Sequence, residues 1–396
     1  MTTSDFRQLA ERQHDDDRAR TANYPELLER KTARMSSSPF AFLRGSAPLF
    51  FSVLAADDDL RAGPEGTGWI CGDAHLENFG AYRPDPLSGA THEEARACFH
   101  INDFDEAVIA PLRFDVLRLA TSVILVARER GASGKQTVGA ARSLLDRYVE
   151  QLMGTSAMPP TPRVVDKLLD QVRRRSRRSL LDARTALHGR TRRFVRGERY
   201  RDIPDALALA AKAAFARYVA ALPEADRPSE AQARVVDVAF RVAGTGSLGA
   251  LRLAILVEGK GDDEGQWIFD MKEEGDPSAA CVVGAQPLAP ADRVIAGMRA
   301  SLPYPIALVG AARLEERSML VRRLRPQEDR LDASLLPVPD LEAVAGYFGA
   351  LLGEAHRHGA TALPPRAWSD AERDALVDSA IRMAVLHEAA WLAYCR

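Results

Sequence analysis

VVDVAFRVAGTGSLGALRLAILVEGKGDDEGQWIFDMKEEG, residues 235–275, decides the fold. Gly244, Gly246 and Gly249, with Thr245 and Ser247 among them, have the spacing GxGxxG, which alone says little. The residues that follow choose between readings. A dinucleotide-binding turn opens a helix. Here ALRLAILVEG comes next, an apolar run that reads as a strand. The stretch is therefore strand, glycine turn, strand, turn, strand, with strands expected over 235–243, 250–258 and 266–272. A turn lacking Cβ atoms lets its backbone approach phosphates closely. The third strand carries Lys272, a cation placed to meet them.

Outward from this sheet the texture becomes helical. IALVGAARLEERSMLVRRLRP (306–326) adds two strands, and LEAVAGYFGALLGEAHRHG (341–359) is a helix with a glycine stop. A last helix starts at Ser369. Upstream, SPFAFLRGSAPLFFSVLAA (38–56) reads as a buried helix, and residues 83–97 as a surface insertion. FDVLRLATSVILVARERG (114–131) is a helix with an apolar stripe, and further helices are expected near 136–153, 162–188 and 205–222. The expected organisation is an arm or leading helix over 1–35 and a helical lobe over 36–228. A β-rich lobe follows over 229–330, and C-terminal helices over 331–396 complete the helical lobe.

Two strand-loop segments in the helical lobe carry the chemistry. CGDAHLENFG (71–80) sets Asp73 five residues before Asn78, a spacing that resembles a kinase catalytic loop. There the Asp orients or deprotonates an acceptor hydroxyl and the Asn holds a metal ion. Gly72 and His75 match the form found in kinases of the aminoglycoside-phosphotransferase type, and Cys71 stands where that pattern usually has His. Asp73 and His75 are the candidate catalytic pair. INDFDEA (101–107) resembles the metal-binding segment of the same kinases. Asp103 would be the primary Mg2+ ligand with Asn78, and Asp105 a further one; so sparse a carboxylate set suits Mg2+. Asp115 is expected as a helix cap or loop anchor.

In ordinary kinases the glycine loop and lysine precede the catalytic loop; here they follow it. The implied fold is α+β, two-lobed and protein-kinase-like, circularly permuted, with a mainly helical lobe and a smaller antiparallel β lobe. Taken together, SPFAFLRG, CGDAHLENFG, INDFDEA, VAGTGSLG, FDMKEE and VRRLRPQEDR resemble the bacterial family known as domain of unknown function 2252, from about residue 30 to about residue 360. That family implies no substrate. The kinase resemblance implies ATP and Mg2+ as cofactors, an unidentified small-molecule hydroxyl or amine acceptor, and phosphate contacts from Lys272 and the 244–249 amides. One part is not evident: a carboxylate to pair with Lys272. Helix 289–302 offers only Asp292, and Glu273 and Glu274 adjoin the lysine.

The bulk composition narrows the alternatives. Net charge is −2, so no global field draws the chain to nucleic acid or membrane. Four widely spaced cysteines without CxxC fit neither a zinc site nor a disulfide framework, and with a polar N-terminus they point to the cytoplasm. LATSVILVA (119–127) is too short to span a bilayer. Four other readings stay open: AMP transfer by a related cleft, a non-catalytic nucleotide binder, a metal hydrolase using His75, Asp73 and Asp103, and RNA binding through the arginine-rich segment 172–201.

Overall fold

The computed structural model describes residues 3–84, 97–189, 191–244, 246, 248–260, 265–304 and 306–396. The 83–97 insertion falls mostly outside them, as do Thr245 and Ser247.

The fold is mixed α and β with antiparallel sheets. Its functional loops lie where two small sheets meet. Strand β1 (Thr67–Ile70) leads through the 71–78 loop into β2 (Phe79–Tyr82). Strand β3 (Cys98–Ile101) leads through 102–107 into β4 (Val108–Pro111). β1 pairs with β4 and β2 with β3, both antiparallel, so the two loops are held side by side. The Asn102 amide donates to the Asn78 carbonyl at 3.0 Å and ties them together.

The β-rich segment forms the expected sheet. Strands β5 (Thr185–His188) and β6 (Thr191–Phe194) make a separate hairpin. β7 (Tyr200–Arg201), β8 (Val235–Arg241), β9 (Arg252–Val257), β10 (Trp267–Glu273), β11 (Val309–Leu314) and β12 (Arg317–Arg323) form one sheet, in the order β11-β12-β10-β9-β8-β7. Two short strands complete the set: β13 (Asp329–Arg330) pairs with β2, and β14 (Ala360–Ala362) with β1. Alternation along β10 sorts its side chains. Trp267, Phe269 and Met271 enter an apolar core with Phe215 and Tyr218 of helix Asp205–Ala221, while Asp270 and Lys272 lie on the opposite face.

The larger core belongs to the helices. Helix Arg113–Glu129 is buried almost throughout, between helices Gly134–Met153 and Asp370–Tyr394. Among the described residues no single helix is long and apolar enough to cross a membrane.

Two expectations need correction. The 38–56 helix is two, Pro39–Gly45 and Ala47–Ala56, meeting at 84°; Ser46 and Pro48 end the first and start the second. The 162–188 helix is also two, Arg163–Arg173 and Arg177–Asp182, and it gives way to the β5–β6 hairpin. Residues 3–35 take the helical alternative of the arm-or-leading-helix expectation. Helices Thr3–Arg20 and Glu26–Met35 pack into the body, with Leu9, Ala10 and Met35 in the helical core. The chain ends meet: the His14 ring stacks on Tyr394 at 4.0 Å, and the Tyr394 hydroxyl donates to Asp17 Oδ2 at 2.8 Å. Asp17 also pairs with Lys31 at 2.9 Å, both fully buried, and Lys31 Nζ reaches the Gly246 carbonyl at 3.4 Å.

Candidate functional site

The 71–78 loop leaves β1 through Gly72, whose φ is +76°. A Cβ there would lie 2.1 Å from the Glu106 carbonyl oxygen, so glycine is required on both counts. The loop is anchored from below by Asp115. Its carboxylate accepts the Cys71 amide at 2.7 Å and the Gly72 amide at 3.0 Å. His356 Nε2 lies 3.3 Å from the same carboxylate, and His356 Nδ1 lies 2.9 Å from the Tyr148 hydroxyl. Asp115 is thus a loop anchor rather than a helix cap. His356 is a buried member of that anchor. Cys71 is buried and its thiol is pushed well up by burial and then by Asp115, which makes it a packing residue.

Asp73 sits where the loop opens. Arg118 holds it, with Nε donating to Oδ1 at 2.7 Å and Nη2 to the same oxygen. Arg118 is itself buried, stacks 4.8 Å from the Phe50 ring centroid, and donates to the Leu43 carbonyl. Burial nevertheless raises the Asp73 carboxyl to about 7; Glu106 and Asp103 add to the rise and Arg118 opposes it. A carboxylate poised near neutrality can accept a proton. His75 Nε2 is 3.7 Å from Asp73 Oδ2. Burial first, then Arg44, Arg118 and Arg330, keep the imidazole well below its usual protonation range, so it stands by Asp73 as a neutral ring. Asn78 is buried, and its Nδ2 donates to the Asp73 carbonyl at 2.8 Å, which leaves the side-chain oxygen as the atom it can offer a cation.

The 102–107 loop brings a second acidic pair. The Asp105 amide donates to Asp103 Oδ1 at 3.3 Å. Asp103 is pushed up to about 6, by burial and then by the Asp105 charge, with Lys272 opposing. Lys272, reaching across from β10, pairs with Asp105 and lies 3.3 Å from Glu274 Oε1. The carboxylate that the sequence did not single out is therefore Glu274, two residues on and just past the end of β10, with Asp105 beside it. Asp292 is exposed on its helix. The inward residue of that helix, Pro290–Ser301, is Arg293, which donates to the backbone carbonyls of Asp105 (2.8 Å), Gly275 (3.0 Å) and Ala107. Burial and Asp105 push Glu274 well up, despite Lys272.

The donor set fits a hard divalent cation. Asp103 and Asp105 share one turn, and the Asp103 carboxyl is raised by burial and then by the Asp105 charge beside it. Asn78 adds a neutral oxygen from the loop tied to theirs. Among the described residues no group of three or more His, Cys, Asp and Glu side chains is arranged to hold a metal ion.

The described residues of the glycine turn pack against the N-terminal helices. Gly246 lies with its Cβ direction 3.5 Å from the Arg44 carbonyl, and Arg44 pairs with Glu77 of the 71–78 loop at 2.8 Å. Gly249 has φ +105°, and a Cβ there would lie 2.3 Å from the Arg20 carbonyl oxygen. Gly244 accepts from Arg34. The N-terminal helices thus seat the turn. The family model that matches the chain, over residues 23–396, is DUF2252, described as an uncharacterized protein conserved in bacteria.

The chain belongs to this family. The match extends past both ends of the 30–360 resemblance and takes in helix Asp370–Tyr394. No curated protein and no solved structure matches the chain. In this DUF2252 member several arginines of the 172–201 segment are paired with carboxylates. Arg173 pairs with Asp170, Arg175 with Asp329, Arg178 and Arg192 with Asp182, and Arg196 with Asp202 and Asp237.

Sequence reading missed His387 as well as Arg118. His387 is buried in the last helix, with Nδ1 3.0 Å from the Met383 carbonyl and its ring 5.9 Å from Phe50. Burial, then Arg118, lowers its pKa to about 3. The unfolded chain protonates this His below about 6.5 while the folded chain does not, so its contribution to stability is full above 6.5 and falls as pH drops towards 3. By pH 5 the loss is on the order of 2 kcal/mol. Urea unfolding of wild type and His387→Leu at pH 7 and pH 5 checks this. The variant should lose less stability between the two, and equal losses would refute the assignment.

Proposed function

We propose that the protein is a Mg-ATP-dependent phosphotransferase on a circularly permuted, kinase-like scaffold, acting on a small-molecule hydroxyl or amine. The observation that carries this is the ion pair between Lys272 and Asp105. It joins the strand after the glycine turn to the acidic loop beside Asp73, across 167 residues of sequence. Permutation accounts for the order of the parts, and the contact between the first and last helices supplies the join it requires.

In this reading the amides of 244–249 and Lys272 bind the phosphates. Asp103, Asp105 and Asn78 would hold Mg2+, which supplies charge neutralisation at the phosphates. Asp73 orients the acceptor and takes its proton, while Arg118 fixes the carboxylate's position. Glu274 and Asp105 hold Lys272 extended into the cleft. The motive for a non-catalytic reading was a lysine without a carboxylate, and Lys272 has two.

Calorimetric titration of ATP with and without Mg2+ tests the site. Wild type should bind in a Mg2+-dependent manner. Lys272→Ala and Asp103→Ala should each weaken binding by about tenfold or more, the scale of a charge-assisted contact. A folded wild type that binds no nucleotide would sink the reading. Product analysis then separates phosphoryl transfer, which releases ADP, from nucleotidyl transfer, which releases pyrophosphate.

A further inference from the structure

Between the glycine turn and the 73–78 loop the structure gathers more positive charge than it balances. Arg44 Nη1 lies 2.8 Å from Glu77 Oε2, and Arg330 Nε lies 3.6 Å from the same oxygen. One carboxylate thus serves two guanidiniums. Arg34 donates to the Gly244 carbonyl, a neutral group. Each residue arrives from a different element. Arg34 stands on helix Glu26–Met35 and Arg44 on helix Pro39–Gly45. Arg330 is set by the register of β13, opposite Gly80 on β2. Arg44 is largely buried, with 14% of its side chain exposed, and its Nε has no hydrogen-bond partner.

We propose that Arg34, Arg44 and Arg330 form an oxyanion pocket that takes a phosphate-type group beside Asp73. Guanidiniums present paired donors that match a phosphate's oxygens. Like charges held together in a partly desolvated cleft repel one another unless an anion sits among them. Their mutual effect is visible: burial and the charges of Arg30 and Arg330 disfavour the cationic form of Arg34. In Arg44 burial and the charges of Arg330 and Arg34 act the same way, against Glu77 and Asp73. After burial, Arg44 and Arg330 together with Arg118 also disfavour the protonated form of His75. The pocket deepens the phosphotransferase reading and rests on it only for what delivers the anion: the terminal phosphate of the nucleotide or an anionic group on the acceptor.

Calorimetric titration of inorganic phosphate into the full chain tests it. Wild type should bind, and Arg34→Gln and Arg330→Gln should each weaken binding by about tenfold. Arg193→Gln, on the exposed face of the β5–β6 hairpin, should leave it unchanged and so exclude a general charge effect. Arg330 is 54% exposed, so its variant keeps the fold, and a thermal melt of each variant verifies this. Repeating the titration beside saturating Mg-ADP and then Mg-ATP separates the sources. Phosphate displaced by Mg-ATP but not by Mg-ADP assigns the pocket to the nucleotide's terminal phosphate. Phosphate that binds beside both assigns it to the acceptor. Phosphate binding by a chain that takes up no nucleotide leaves the pocket standing and removes the phosphotransferase reading. A wild type that binds no phosphate, or two arginine variants that bind it as wild type does, overturns the proposal.

Discussion

Asp73→Asn should lower turnover by about 10³-fold while leaving Mg-dependent ATP binding within a few-fold of wild type. The amide keeps the size of the carboxylate and can still accept from Arg118, but it cannot take a proton. Because the acceptor is unidentified, slow release of ADP from ATP with water as acceptor serves as the readout. The contrast with Asp103→Ala gives the test its force. Loss of Asp103 should appear in nucleotide and Mg2+ binding, and loss of Asp73 in the rate at saturating nucleotide. Arg118 is buried and loses its counter-charge in the Asn variant, so some loss of stability is expected too. Rates are therefore compared well below the melting temperature of both proteins. Retention of more than a tenth of wild-type turnover would show that Asp73 is not the proton acceptor.

The parts of the site that were legible in the sequence are those whose chemistry is local. Asp73, Asn78 and Asp103 stand in short motifs bounded by strands, and the structure ties their two loops together. The glycine turn could be read because a strand, not a helix, follows it. Arg118 was hidden by its surroundings. It lies within an apolar helix, where one charge looks like a gap in a stripe, and its partner is 45 residues upstream. Periodicity reports which face is buried and not what a buried cation meets there. Glu274 was within reach of sequence reasoning. Lys272 and Glu274 are two apart, Glu274 just past the end of β10, so alternation sets them on one side, while Phe269 and Met271 occupy the other. The buried pair of Asp17 and Lys31 shows the opposite limit. Polar composition left residues 1–35 open between an arm and a leading helix, yet these two charges are buried because each neutralises the other. Composition records the charges without recording the pairing.

The largest loss of stability is expected from Asp270→Ala, which should cost at least about 3 kcal/mol. Asp270 is buried on the Lys272 face of β10 and serves two guanidiniums. Arg241 Nη1 is 2.7 Å from Oδ1, and Arg252 reaches both oxygens, with Nε at 2.9 and 3.0 Å. Burial alone would raise this carboxyl, but Arg241 and Arg252 prevail and hold it far below the usual range. Its contribution is therefore present above the unfolded value of about 3.9 and is lost as pH falls below that. Urea unfolding at pH 7 measures the cost. Adding Arg241→Met and Arg252→Met to the variant should recover much of it, since the penalty comes from leaving two buried cations without a counter-charge. A cost under 1 kcal/mol would mean that water or a side-chain shift solvates those arginines. The consequence extends to the site. Arg252 also feels Asp105 and Asp103, so without Asp270 its guanidinium competes for the carboxylates that would hold Mg2+. In the single variant, Mg-dependent ATP binding should weaken together with stability. In the triple variant it should recover further than stability does, because removing Arg252 ends the competition even where the apolar replacements pack imperfectly.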